Sequence, residues 1–225
     1  MYTPPLFKQD RAASLAFADE RGFGTVCTWD GIKPIASSLP FYVSHAADGT
    51  PHALFHLARQ NPLIKLADGT RSWILVVNGP DAYVSADWYV SPDQVPTWLY
   101  QVVHLTGTVR ILSDDELADQ VDTLSDKFEN WLAPKQPWTS SKMTAARLEA
   151  LKKAIVGLVM TVADVEGSFK FNQHKSDADH VAIASALAQQ GDEPSKAIGT
   201  QMVALRPQLD YNSPVPASAD QRNAP

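Results

Sequence analysis

Short runs of alternating apolar and polar residues, separated by turn sequences, fill the first half of the chain. Phe23–Trp29 is one such run, and Asp30-Gly31 directly after it is a strong hairpin signal. Strands are predicted at residues 23–29, 32–43, 52–58, 72–77, 81–85 and 98–112, with a turn at residues 78–80. Consecutive strands joined by short turns favour a closed or partly closed antiparallel barrel.

Helical periodicity appears before and after these strands. Ser113, followed directly by three acidic residues, is typical of a helix start, and apolar residues then recur at helical spacing. Further helices are predicted at residues 10–21, 140–154, 177–189 and 194–205, and returning strands at 156–165 and 169–172. The predicted fold class is therefore mainly β with α (α+β), an antiparallel split β-barrel with peripheral helices.

The same pattern sets the expected domain organisation. We expect a single domain over residues 1–206, with a helical insertion near 113–155. From Pro207 the chain is rich in proline, serine, asparagine and aspartate, which predicts a disordered tail over residues 207–225.

The composition of the chain indicates which partners it can bind and in which cellular compartment it works. The net charge of −6 argues against a broadly basic surface for nucleic acid, so DNA binding remains possible but is not supported by charge. The single cysteine, Cys27, excludes an intrachain disulfide and fits a reducing cytoplasm. Residues 1–5 do not resemble a secretory signal, and the longest apolar runs are far too short for a membrane span. We therefore expect a cytoplasmic protein with no membrane partner.

Several common catalytic and metal-binding patterns do not occur in the sequence. His52 and His56 would lie roughly 13 Å apart along a strand, too far to share one ion. There is no Gly-x-Ser-x-Gly elbow. The sequence Gly22-Phe23-Gly24 lacks the third glycine of a dinucleotide fingerprint and precedes a strand. We therefore expect no metal site and assign no catalytic residue.

The segment from His56 to Pro62 carries the clearest candidate chemistry. It follows a predicted strand and precedes a helical run, with Asn61 as the helix cap and Pro62 at the first helical position. A helix start offers unpaired N–H groups, and Arg59 adds a cation beside them. The segment therefore predicts a phosphate cradle, although a plain turn with a solvated arginine would have the same sequence.

Ordered sequence blocks along the chain resemble the PaiB-type family of FMN-binding negative transcriptional regulators. The blocks are Phe23-Gly24-Thr25, Ser38-Leu39-Pro40, the segment from His56 to Pro62, residues 79–85, Val95-Pro96-Thr97-Trp98-x-Tyr100, Val103-His104-x-x-Gly107, Ile155-Val156-Gly157 and Lys170-Phe171-Asn172-Gln173. The family is similar to the flavin-binding split barrels that include pyridoxamine-phosphate oxidase. The resemblance implies a homodimer with two FMN sites at the subunit interface.

Together with the residue pattern, the resemblance implies a set of cofactor-binding residues. We expect Arg59 and Asn61 to contact the FMN phosphate. The expected neighbours of the flavin ring are Ser38, Leu39, His56, Trp98 and Gln173. The chain departs from the residues usual in the family at Ser38, Leu99, Asn172 and His174, positions that we expect to face the flavin or a substrate.

These expectations leave more than one function open. The protein is predicted to be an FMN-binding flavoprotein, acting as a flavin-dependent regulator or as a small flavin oxidoreductase. The alternatives are a transcriptional regulator or partner-binding protein without flavin, and a barrel that binds another planar ligand such as haem. The absorbance spectrum of the purified protein separates these three cases, because flavin and haem have distinct chromophores.

Overall fold

A computed structural model describes residues 1–211 of the chain. Seven strands and five α-helices follow one another in this part of the sequence. In chain order they are β1 (Lys8–Gln9), α1 (Arg11–Arg21), β2 (Phe23–Trp29), β3 (Pro34–His45), β4 (Pro51–Ala58), β5 (Asp68–Val84), β6 (Thr97–Ile111), α2 (Asp114–Asn130), α3 (Ala145–Lys152), β7 (Ile155–Lys170), α4 (Asp177–Ala188) and α5 (Glu193–Leu205).

The strands form one antiparallel sheet that closes on itself. Their order is β1-β7-β4-β3-β2-β5-β6, and a further pairing between β7 and β6 joins the two ends. Six strands thus make the barrel, and the two-residue β1 pairs with β7 as an extra strand. The predicted α+β split barrel with peripheral helices is confirmed.

Closure of the barrel depends on a close backbone approach at Gly107. A Cβ atom placed on this glycine would lie 2.0 Å from the carbonyl oxygen of Thr161 on β7. No side chain can be accommodated at that distance. Gly107 therefore allows β6 and β7 to pair at this point.

The described chain divides into two compact units. One comprises residues 10–77 and 103–166, and the other residues 1–9, 78–102 and 167–211. In the first unit, large side chains such as Phe41, Phe55 and Trp73 are fully buried. In the second, α4 and α5 pack together around Ile183 and Ile198. The expectation of a single domain over residues 1–206 stays a prediction.

Local sequence signals fix several element boundaries. The Asp10 carboxylate accepts a hydrogen bond from the N–H of Ala13 at the start of α1, and Gly22 ends that helix with a left-handed φ of 58°. Ser113 and Glu116 form a capping box at the start of α2. These are the helix starts and stops that the sequence predicts.

Two predicted breaks in strands are wrong. Residues 78–80 lie within the continuous strand β5, and β7 runs without interruption from Ile155 to Lys170. The Asn78-Gly79-Pro80 turn signal fails because the fixed φ of proline also suits extended backbone. The predicted helix over 140–154 is also shorter than expected, with a 3-10 turn at Ser140–Lys142 followed by α3.

The predicted tail falls largely outside the described residues. Residues 212–225 are not described, so their predicted disorder stays a prediction. Just before them, the Tyr211 hydroxyl donates a hydrogen bond to the Arg206 carbonyl oxygen. Within residues 1–211, no helix is both long and apolar enough to cross a membrane.

Candidate functional site

Two separate pairs of polar side chains connect elements of the first unit. The hydroxyl oxygens of Thr25 on β2 and Ser38 on β3 lie 3.0 Å apart, within hydrogen-bond distance. The side-chain amide of Asn61 donates a hydrogen bond to the Ser37 hydroxyl at 2.8 Å. Adjacent residues of a strand point to opposite faces of the sheet, so these two pairs lie on different faces of β3. We call Ser37 and Asn61 the polar seam. It offers hydroxyl and amide groups where β3 meets the turn after β4.

Arg59 lies at that turn and holds two backbone segments in place. Its Nε donates to the Lys153 carbonyl oxygen at 2.6 Å, and its Nη2 donates to the Ile155 carbonyl oxygen at 2.8 Å. Its own N–H bonds the carbonyl oxygen of Ala154. A guanidinium has five N–H donors, so three remain beyond these two side-chain bonds. The side chain is exposed, which leaves those donors accessible to an anion.

The helix predicted after Asn61 is a single 3-10 turn, Pro62–Leu66. The side chain of Asn61 caps it by accepting a hydrogen bond from the N–H of Leu63 at 3.0 Å. Five residues align few peptide dipoles, so the turn contributes little of the positive end charge of a long helix. The attraction of this site for a phosphate therefore rests on Arg59 and on the polar seam.

The other predicted ring neighbours in the first unit differ in their accessibility. Leu39 is buried in the core and presents almost no surface. His56 is half-buried, and its Nδ1 lies 3.5 Å from the side-chain amide nitrogen of Gln120. Burial lowers the pKa of His56, with a smaller opposing effect from Gln120, so its imidazole is mainly neutral at pH 7.

Trp98 and Gln173 belong to the second unit and have different surroundings. Trp98 is 54% exposed and packs edge-to-face on Tyr83. The Gln173 side chain bonds the backbone at both ends, since its Oε1 accepts from the N–H of Phe171 and its Nε2 donates to the carbonyl oxygen of Phe169. These two hydrogen bonds stabilise the backbone at the end of β7. Roles for both residues beside a flavin stay predictions.

The positions where the chain departs from the family pattern do not all face solvent. Leu99 is fully buried, and Asn172 is buried with its side-chain amide donating to the Tyr89 hydroxyl. The expectation that these two positions face the flavin or a substrate stays a prediction. Ser38 is exposed on the face of β3 opposite Ser37, and the exposed His174 lies edge-on to the Phe7 ring.

A pair of lysines in the second unit is a further basic feature. Lys170 donates to the Thr97 hydroxyl, and Lys175 donates to the side-chain oxygen of Gln94, each at 2.6 Å. Lys175 also lies over the ring of Tyr89. Burial, and then the charge of Lys175, lowers the pKa of Lys170. Lys170 and Thr97 stand in sequence blocks of the family resemblance, but Lys175 does not. The sequence gives no sign of its role, because its partner Gln94 is 81 residues away.

The described residues contain no group of three or more histidine, cysteine, aspartate or glutamate side chains that could hold a metal ion. The candidate site is therefore one of hydroxyl, amide and guanidinium donors. Such a donor set suits an anionic organic ligand.

A family model described as "Putative FMN-binding domain" matches residues 1–164. The chain belongs to this FMN-binding family. It is also 32% identical over 203 residues to the protease synthase and sporulation protein PAI 2 of Bacillus subtilis, covering 90% of this chain and 96% of that protein. The resemblance to the PaiB type is thereby confirmed.

Solved structures show the same fold in more distant proteins. The FAD and heme binding protein from Mycobacterium smegmatis superposes with a TM-score of 0.54 at 17% identity, covering 78% of this chain and 80% of that one. The flavocytochrome Anf3 from Azotobacter vinelandii also gives 0.54, at 15% identity, with 73% and 69% covered. At these identities the likeness shows a shared fold, a split barrel.

Proposed function

We propose that the protein binds FMN, with the phosphate held by Arg59, Asn61 and the polar seam. The observation that carries the proposal is the position of these groups inside the matched family region, residues 1–164. There, one exposed guanidinium lies in a turn whose cap residue bonds a seam hydroxyl. A dianionic phosphate prefers a cation with several fixed N–H and O–H donors around it.

The lysine pair, Lys170 and Lys175, is the other cationic feature that could attract a phosphate. It lies beyond residue 164, outside the matched region. Its ammonium groups already donate to a hydroxyl and to an amide oxygen. We therefore assign the FMN phosphate to Arg59 and treat the lysine pair as a feature of the second unit.

When bound, FMN supplies the redox chemistry. The chain's own residues bind and orient it. The Ser37 hydroxyl of the polar seam offers a hydrogen bond, and His56, mainly neutral, adds little positive charge at pH 7. We also propose that Ser38, Leu39 and His56 of the first unit lie near the ring. Trp98 and Gln173, which belong to the second unit, stay predictions of the resemblance.

A regulatory role in the cytoplasm is the accompanying proposal. It is supported by the identity with the sporulation protein of Bacillus subtilis and by the single cysteine. The acidic net charge of −6 favours an indirect role over broad contact with DNA.

We expect the protein to form a homodimer. The segment 88–100 is rich in aromatic and aliphatic residues, and Val95 within it is 73% exposed. Stable specific interfaces bury more than about 1,000 Å² and are apolar at their centre. Light scattering at micromolar concentration should give twice the chain mass of 24.6 kDa. A monomeric mass would contradict this expectation.

FMN binding is tested first by the visible spectrum of the purified protein and by titration with FMN. Bands near roughly 370 and 450 nm, changing on binding, indicate flavin. A Soret band would indicate haem instead. A spectrum with neither, and no change in FMN fluorescence on adding protein, would contradict the proposal.

A further inference from the structure

A cavity of about 440 Å³ opens in the second unit, outside the residues assigned to the FMN phosphate. Its lining residues include three aromatic ones, Tyr83, Trp88 and Trp98, and two acidic ones, Asp81 and Asp192. We call this cavity the aromatic pocket. Its volume is within the range of small-molecule sites in proteins.

The aromatic residues of the pocket leave ring surface exposed to a ligand. The rings of Tyr83 and Trp98 meet edge-to-face, with centroids 5.9 Å apart. Tyr83 is 48% exposed and Trp98 is 54% exposed, so the faces of these rings are not all covered by protein. Ring faces carry negative electrostatic potential and attract cations.

The acidic side of the pocket gives it a negative charge. Asp192 caps α5 by accepting a hydrogen bond from the N–H of Ser195 at 2.9 Å. That backbone hydrogen bond lowers the pKa of Asp192, so its carboxylate is ionised at pH 7. The start of a helix carries roughly half a positive charge, less than the full negative charge of the cap. Among the described residues, the lining includes no lysine, arginine or histidine.

We propose that the aromatic pocket binds a small organic ammonium ion, at a site separate from the proposed FMN phosphate site. Aromatic faces and carboxylates together select a cation with an apolar surface, such as an alkylated ammonium group. Two carboxylates disfavour an anion such as a phosphate. A neutral ligand of the same shape gains the apolar contacts but not the electrostatic attraction.

Choline and its uncharged carbon isostere, 3,3-dimethyl-1-butanol, are the probes that isolate the charge. Each is titrated into the full-length protein at constant ionic strength, and tryptophan fluorescence is recorded, since Trp88 and Trp98 line the pocket. We expect a saturable change with choline. The isostere should bind about tenfold more weakly or worse, the loss expected when a cation–aromatic attraction is removed.

Two variants remove the charge or the ring without disturbing the local fold. Asp81→Asn with Asp192→Asn keeps the shape, and asparagine is also a good helix cap. This double variant should lower the affinity for choline by about tenfold or more, and Trp98→Leu should lower it by a similar factor. Asp87→Asn and Trp29→Leu are matched controls outside the lining, and Trp29 is also 54% exposed. Both controls should bind choline as wild type does.

Three outcomes would overturn the proposal. They are equal affinity for choline and the isostere, unchanged choline affinity in the double variant, and no saturable signal at all. Displacement of choline by FMN would instead show that the pocket is part of the flavin site, which removes the separate site. None of these titrations requires FMN to bind, so failure here is distinct from failure of the proposed flavin function.

Discussion

Replacing Gly107 by alanine should leave little or no folded protein. The new methyl group would meet the Thr161 carbonyl oxygen at 2.0 Å and the carbonyl carbon at 2.8 Å. Both are backbone atoms of the strand that closes the barrel, so no side-chain rotation relieves the overlap. Strands β6 and β7 would have to separate here, with the loss of ladder hydrogen bonds on both sides. We expect the free energy of unfolding to fall by about 4 kcal/mol or more.

Urea unfolding followed by circular dichroism measures this effect, with Gly191→Ala as the control. No atom lies within 4 Å of the Cβ position at Gly191. That substitution should change the stability by less than about 0.5 kcal/mol. A Gly107→Ala protein with wild-type stability would show that β6 and β7 do not approach closely at this point.

Replacing Asp179 by alanine should also destabilise the protein strongly, for a different reason. Asp179 is buried, and its carboxylate accepts hydrogen bonds from the N–H groups of Val90 and Ser91 and from the Ser91 hydroxyl. Removing it leaves three donors of part-buried hydrogen bonds without their acceptor. We expect a loss of about 3 kcal/mol in urea unfolding, since hydrogen bonds to charged groups contribute about 1.5–3 kcal/mol each and are not additive.

The free energy of unfolding at low pH provides a second measurement for Asp179. Burial raises the pKa of this carboxyl, but the hydrogen bonds from Ser91, Ser176 and Val90 outweigh it, and the folded-state pKa is lowered. A lowered pKa stabilises the fold above the unfolded value near about 3.9, and this contribution is lost as the pH falls through the folded value. Asp179→Asn should therefore be less stable at pH 7 and lose less stability below about pH 4. If the free energy of unfolding of Asp179→Asn fell in acid as much as that of wild type, the lowered pKa of Asp179 would be contradicted.

Local sequence signals predict the elements whose ends are set by neighbouring residues. The start of α1 at Asp10, its end at Gly22 and the hairpin at Asp30-Gly31 all follow from side chains or φ angles within a few residues. The break at residues 78–80 fails because sheet pairing decides that backbone, and pairing partners are distant in sequence. For the same reason, the sequence does not predict that β7 is one uninterrupted strand.

The candidate site divides in a similar way. The sequence predicts Arg59 and Asn61 as site residues, because they lie between a strand and a helical turn. It does not predict the hydrogen bonds from Arg59 to residues 153 and 155, because those residues lie far along the chain. The Gln173 side chain bonds the backbone of Phe171 and Phe169, and the sequence does not show that its polar groups are used in this way. The aromatic pocket joins residues from 81 to 195, so no sequence window contains it.

The central claim is that Arg59 and the polar seam hold the phosphate of FMN, and comparison of FMN with riboflavin tests it most directly. Riboflavin has the same ring and side chain without the phosphate. Arg59 also supports the backbone, so Arg59→Ala could weaken both ligands through the fold. The ratio of the riboflavin and FMN dissociation constants cancels that shared effect.

Wild-type protein should bind FMN roughly 10- to 150-fold more tightly than riboflavin, the range that corresponds to about 1.5–3 kcal/mol for charged hydrogen bonds. Arg59→Ala should bring the ratio of the two dissociation constants close to one, and Arg71→Ala, which removes an arginine of the same unit outside the seam, should leave it unchanged. A ratio that stays at the wild-type value in Arg59→Ala would contradict the claim.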